Sequence, residues 1–225
     1  MTGNQEDPLS LRRLRTTDSR NSIVIVVARR RVDIRREEIL AAAADEVLIR
    51  GFGHTRVADV ASALGVSTSL VFYHFGTKEK LMAEAFEYAV NRDLSKLDET
   101  VARAKDPVDG VRRILALYSP QGNAYGWTVW VDAWSESLRE PQMRETYVRL
   151  DDRWKDVLTE QIRRGVECGD FVCADPAGSA WRLSALLDGL AVQVMMHQRI
   201  TKKTLAQWVR GAAAAELSID VDLLT

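Results

Sequence analysis

Cysteine is nearly absent: Cys168 and Cys173 are the only two in 225 residues. Two thiols cannot build a disulfide framework. With three scattered histidines they also supply no metal-ligand spacing, so neither a metal nor a cofactor is expected. The two thiols read as reduced and incidental, a redox pair being the alternative. Long apolar runs are missing too. Ile23–Ala28 is far short of the ~20 residues that span a bilayer, and Arg29, Arg30 and Arg31 follow it. No small-residue cleavage pattern marks a secretory signal, so the chain is expected to be cytoplasmic, without a membrane partner. Neither sign of charge dominates: 31 Lys and Arg stand against 32 Asp and Glu. Bulk composition therefore announces no nucleic-acid partner, although the chain through Met82 carries net +3 and the remainder net −4. Nucleophile elbow, glycine-rich phosphate loop and HExxH pair are all absent, which argues against an enzyme or carrier.

What is present is helical periodicity. Residues 1–33 read as a flexible basic arm containing Arg12, Arg13, Arg15, Arg20, Arg29, Arg30 and Arg31. The arm is either a simple tail or a segment reaching phosphates or a minor groove. From Val32 onward no segment alternates with period two, and the fold class expected is all-α. Ile39, Ala43, Val47 and Phe52 form one stripe that Gly51 and Gly53 terminate. Thr55 offers a cap for a second helix, whose Val57, Val60, Ala61 and Leu64 recur at i, i+3, i+4 and i+7. Ser67 caps a third helix and Thr77 a fourth. Pro107, Pro120, Pro141 and Pro176 divide the rest into further helices.

Residues 54–81 carry the most information. Two short helices meet at a tight turn, Gly65-Val66-Ser67, with Ala61 small where they approach and Val60, Leu64, Val66 and Val71 as a hinge core. Such a pair functions when its second helix enters a major groove roughly 12 Å wide while the first braces on the backbone. Here that helix offers Thr68, Ser69, Phe72, Tyr73 and His74. Gly51-Phe52, Thr55, Val60-Ala61, Gly65-Val66-Ser67, Phe72-Tyr73-His74-Phe75, Lys78-Glu79 and Leu81 resemble, in order and spacing, the DNA-binding module of the tetracycline-repressor (TetR) family. The resemblance implies Tyr73 and His74 at DNA, and Lys78 with its helix N-terminus on a phosphate. Thr55, Arg56, Ser67, Thr68, Ser69, Phe72 and Thr77 complete the expected interface. Thr68 stands where the family often has Lys or Arg, which removes a charge. Phe75 is expected in the core, with Phe72 either there or outside.

The resemblance also implies that residues 34–82 form the DNA-binding domain and residues 83–225 a larger domain for ligand binding and dimerisation. Trp127, Trp130, Trp134, Arg153-Trp154, Gly165, Gly169-Asp170-Phe171 and Leu186-Leu187-Asp188-Gly189-Leu190 are similar to the choline-pathway branch of that family. Trp127, Trp130 and Trp134 share one helical face, expected to be mainly core with one or two rings at a pocket. Trp154, Trp181 and Asp188 are further ligand candidates; Asp188 reads either as a structural hydrogen bond or as a ligand contact. With few inward cations and Asp188 on an apolar face, the pocket should prefer an apolar or weakly cationic molecule to an anion. The helix over 177–198 carries two apolar faces. With Leu205, Trp208, Val209 and Ala212 of the last helix it is expected to form an isologous homodimer interface. The expected partners are thus a double-stranded operator, a small-molecule effector and a second copy, the whole acting as a ligand-tuned repressor.

Overall fold

A computed structural model describes residues 36–120 and 125–225; the arm expected over 1–33 lies outside them. Residues 38–225 pack as one compact unit. The described residues contain helices and no strand. Helix α1 covers 36–50 and stops where Gly51 takes a left-handed φ of +81°. Next come α2 (Val57–Leu64), α3 (Thr68–Phe75), α4 (Lys78–Ala102), α5 (Pro107–Tyr118), α6 (Tyr125–Ser137) and α7 (Pro141–Cys168). The chain ends with α8 (Pro176–Val192), a π-helical turn (Gln193–His197), α9 (Lys202–Leu217) and a 3₁₀ turn (Val221–Leu224).

The start signals act as their chemistry requires. Ser67 Oγ accepts the Leu70 N–H at 3.2 Å and Thr77 Oγ1 that of Lys80 at 3.1 Å, each satisfying an orphan donor of its helix. Pro107, Pro141 and Pro176 occupy first helical turns, where no N–H is needed. Thr55 differs from expectation. Arg56 is the N-cap of α2, its N–H bonding Asp59, while the Thr55 hydroxyl turns back to the Gly51 carbonyl at 2.7 Å.

Two hydrophobic cores lie along the unit. The first joins Ile39, Val47, Phe52, Val60, Val71 and Phe75 to Leu81 and Phe86 of α4, and takes Val129 and Ala133 from α6 with Met143 and Leu150 from α7. The second gathers Leu97, Ile114, Trp154, Leu158, Leu183, Leu187, Leu205 and Val209. Helix α4 contributes to both, and Trp130 packs against both.

The second core corrects one expectation. Leu183 and Leu187 of α8, with Leu205 and Val209 of α9, are buried inside the chain rather than offered to a second copy. The faces left exposed are Trp181, Ala185 and Gly189 on α8 and Trp208, Gly211 and Ala215 on α9. The helix expected over 177–198 runs as α-helix to Val192 and closes with the π-helical turn, which ends where Gln198 adopts φ +51°.

Phe86 is fully buried, with its ring edge-on to Phe52 at 5.9 Å and to Trp130 at 5.2 Å. Phe86→Ala removes both contacts and is expected to cost about 3–5 kcal/mol. Urea unfolding of the two proteins measures it; a midpoint unchanged by the substitution contradicts this account of the core.

Candidate nucleic-acid interface and aromatic chamber

The helix-turn-helix forms because α2 and α3 bury Val60, Ala61, Val71 and Phe75 between them and the rest of the first core. That fixes which side chains of α3 face outward. Thr68, Ser69, Phe72 and Tyr73, at i, i+1, i+4 and i+5, share the exposed side; Tyr73 is 79% exposed and Phe72 44%. The open alternative for Phe72 thus resolves to the surface, and Phe75 is buried. Half-buried His74 lies against Tyr73, with ring centroids 5.4 Å apart. Arg56, Ser67 and Thr77 are exposed at the neighbouring helix starts.

Lys78 opens α4, and its ammonium donates to the Gly53 carbonyl at 3.3 Å. One of its three donors thus holds the α1–α2 turn, beside the positive end of a 25-residue helix where an anion is favoured. Thr55 does not join this surface. Its side chain is fully buried and its hydroxyl is engaged by Gly51, so the expected DNA contact becomes an internal brace. Exposed His54 and Lys80 lie beside the expected residues and escaped the sequence reading. Their signal was position alone: one in the turn before α2, the other in the first turn of α4.

Above this head, a cavity of about 230 Å³ opens between α4, α5, α6 and α7. Tyr118, Trp127, Trp130, Trp134 and Trp154 form its aromatic wall, with Asp93 and Lys96 on α4 paired at 3.1 Å. Tyr118 meets Trp154 at 4.9 Å and Trp127 at 5.5 Å, and Trp127 meets Trp134 at 6.1 Å. Trp127 Nε1 donates to the Tyr118 carbonyl at 2.8 Å, tying the start of α6 to the end of α5. The Trp stripe of α6 is therefore wall on one side and core on the other. Four of the five tryptophans named from sequence come together. Trp181 does not: it lies on the outer face of α8, 56% exposed.

Behind the wall is a charged layer. The Tyr118 hydroxyl donates to Asp188 at 3.0 Å, and burial pushes the Asp188 carboxyl up to about 6. Burial also raises Asp151 and drives Tyr118 well above the usual phenol range, helped by the Asp188 charge. Asp151 pairs with buried Lys155, whose ammonium lies 3.7 Å from the centroid of the Trp181 ring. Sequence reasoning expected few inward cations and missed Lys155. The i, i+4 spacing of Asp151 and Lys155 around Trp154 was the available signal. Among the described residues no group of three His, Cys, Asp or Glu side chains could hold a metal ion.

Comparison with known proteins bears on both regions. Residues 39–85 match the family described as bacterial regulatory proteins, tetR family, and residues 107–218 match the BetI-type transcriptional repressor C-terminal family. The HTH-type transcriptional regulator BetI of Paraburkholderia xenovorans is 30% identical over 192 residues, covering 82% of this chain and 85% of that protein. A crystal structure of a transcriptional regulator from Saccharomonospora viridis in complex with choline is 31% identical, with a TM-score of 0.72. It covers 80% of this chain and 95% of that one. A regulator from a Rhodococcus species, 24% identical with a TM-score of 0.71 over 81% of this chain and 98% of its own, shares the fold.

The interface yields a paired test. Lys78→Ala should weaken binding to all DNA sequences alike and flatten the salt dependence of affinity by about one unit. Thr55→Ala should leave that slope intact and lower stability by about 1 kcal/mol through the lost internal bond. Anisotropy titrations across a salt series separate the two; a slope that follows Thr55 instead of Lys78 reverses the assignment.

Proposed function

The chain belongs to the TetR family of bacterial regulatory proteins and carries a BetI-type C-terminal domain, and on that premise we propose that this transcriptional repressor answers to a small quaternary ammonium ligand held in the aromatic chamber. It is a regulator and not an enzyme. The observation that carries the ligand reading is the ring of Tyr118, Trp127, Trp130, Trp134 and Trp154 with the Asp188 carboxylate behind it. Aromatic faces attract a desolvated cation by about 2 kcal/mol or more. A quaternary ammonium has no N–H to satisfy, and the Tyr118 hydroxyl is already committed to Asp188. A primary amine has three N–H groups to satisfy, while the polar lining offers Asp93, already paired with Lys96, and Ser119, already bonded to the Leu115 carbonyl. An anion would meet the carboxylate layer. At about 230 Å³ the chamber lies below the roughly 300–1,000 Å³ of drug-sized sites, which suits a ligand of few atoms. Choline in the 31% identical Saccharomonospora viridis regulator supports this class.

The DNA reading rests on the exposed Thr68, Ser69, Phe72 and Tyr73 face, with Arg56, Ser67, His74, Thr77 and Lys78 around it. A homodimer binding a palindromic operator with half-sites about one helical turn apart, roughly 34–36 Å, follows from two-fold symmetry. The dimer would use the open side of α8 and α9. A Cβ built on Gly189 or Gly211 meets nothing within 4 Å, so both sites are open to a close-packed partner. A repressor works where its operator lies, which for a bacterial regulator is the cytoplasm; among the described residues no helix is long and apolar enough to cross a membrane. Ligand and DNA then compete through two states of the dimer that they favour differently.

Two expected outcomes follow. Gly189→Glu should bury unpaired charge at the interface, yielding a monomer by light scattering that no longer binds the operator; a wild-type monomer at micromolar concentration refutes the dimer. Affinity for tetramethylammonium, which does not titrate, should fall as pH drops through about 6, because protonating Asp188 removes the charge that favours the cation. Tyr118 and Tyr147 remain protonated there, and Asp151, whose carboxyl burial also raises, is told apart from Asp188 by the substitution. Asp188→Asn should lower the affinity at pH 8 and erase the step. Tryptophan quenching reads both proteins, and a step that survives the substitution belongs to another group.

A further inference from the structure

Asp132 lies on α6, two residues after Trp130, and does not line the chamber. Its carboxylate points the other way, into the turn between α1 and α2. Asp132 Oδ2 accepts the Phe52 N–H at 2.6 Å, a bond between residues 80 apart in sequence. The approach is close: a Cβ on Gly51 would come within 3.1 Å of the same oxygen, and Gly51 already needs its positive φ. Other polar groups of the turn are held from within the head. Val47 accepts the Gly51 N–H, Thr55 bonds the Gly51 carbonyl, and Lys78 bonds that of Gly53. Phe52 is the residue whose amide is gripped by α6.

The same residue is gripped a second time through its side chain. Its ring meets Phe86 edge-on, Phe86 meets Trp130 edge-on, and Trp130 is part of the chamber wall. Helix α6 therefore holds Phe52 by a charge-assisted backbone bond on one side and a ring relay on the other. The held turn is also the one braced by Lys78, at the edge of the DNA-binding surface. Resting on the ligand reading above, we infer that Asp132 is the positioning residue through which occupancy of the chamber sets the placement of the DNA-binding head. A cation that shifts Trp130 moves α6, and with it the oxygen anchoring Phe52. Without that anchor, the chamber still binds its cation and the helix-turn-helix still binds DNA, but each no longer responds to the other.

The test uses full-length protein, choline as the ligand probe and the DNA upstream of the protein's own gene. Choline affinity is read by tryptophan fluorescence and operator affinity by anisotropy, with and without saturating choline. In the wild type choline should change operator affinity by a factor in the roughly 5–150-fold range typical of coupled sites. In Asp132→Ala both separate affinities should stay close to wild type while that factor falls toward one. Asp132→Asn, which keeps an acceptor oxygen, should restore part of it. Hydrogen exchange provides a readout independent of the ligand: the Phe52 amide should lose protection in Asp132→Ala while Val71 and Phe75 keep theirs. A full choline effect in Asp132→Ala overturns the inference, as does protection lost across α2 and α3 together, which would make Asp132 a general fold support. A wild type that binds no choline overturns the ligand reading instead; equal Phe52 exchange in both proteins would then overturn the anchor.

Discussion

A head of three short helices cannot close its own core, and the architecture depends on how that shortage is met. Small units bury too small a fraction of their apolar surface to be stable alone. Here the shortfall is made up from outside: Leu81 and Phe86 of α4, Val129 and Ala133 of α6, and Met143 and Leu150 of α7 complete the packing around Phe52 and Val71. Phe86 is the central piece, with Phe52 on one edge and Trp130 on the other. Because close-packed side chains shift between discrete arrangements rather than flow, a displacement at Trp130 has to be answered at Phe52. Communication between the two ends thus arises from how the head is stabilised.

The chamber shows a related economy. Its inner surface is aromatic apart from the Asp93–Lys96 pair on α4, and further charge lies one layer back in Asp188, Asp151 and Lys155. The lysine pairs directly with Asp151, while Asp188 is held by the Tyr118 hydroxyl. A layer with two acids and one base attracts a single positive charge without offering it a tight ion pair. The hydroxyl between ring and carboxylate does further work, since a phenol donating to an anion carries a more electron-rich ring. Selectivity for charge without hydrogen bonds, in this account, comes from placing the acid behind the ring instead of beside the ligand.

Much of this was legible in the chain. The glycines at 51, 53 and 65, the hydroxyl caps at Ser67 and Thr77 and the 3.6-residue stripes mark out the helix-turn-helix, because these signals are local. The resemblance identified the family through the same positions. What escaped was set by contacts distant in sequence. Thr55 looks like a cap, yet its hydroxyl donates back to the Gly51 carbonyl, and Arg56 is the residue that caps α2. Asp132 falls on the helical face opposite the tryptophans, and nothing near it in sequence reveals Phe52 80 residues earlier. Lys155 falls in a charge-rich helix whose pattern resembles a solvated surface. Trp181 looked like a chamber wall because an aromatic on an apolar stripe does not disclose which neighbour it faces. Leu183, Leu187, Leu205 and Val209 were apolar as expected, but periodicity could not tell an internal partner from a second copy.

The sharing of core residues sets a limit on modularity. Helix-turn-helix heads and effector domains are often imagined as exchangeable parts joined at a linker. In this protein the seam does not lie at a linker: α4 runs unbroken through both cores, and α6 and α7 send four buried side chains into the head. A chimera joined after α3 or within α4 would bring the new head against a surface cut for another. To build a sensor with altered operator choice, the exposed α3 residues can be changed one by one, while the head as a block has to travel with Val129, Ala133, Met143 and Leu150. Recombination at the apparent domain boundary is thus disfavoured, and divergence is steered toward substitution on two surfaces that the packing leaves free.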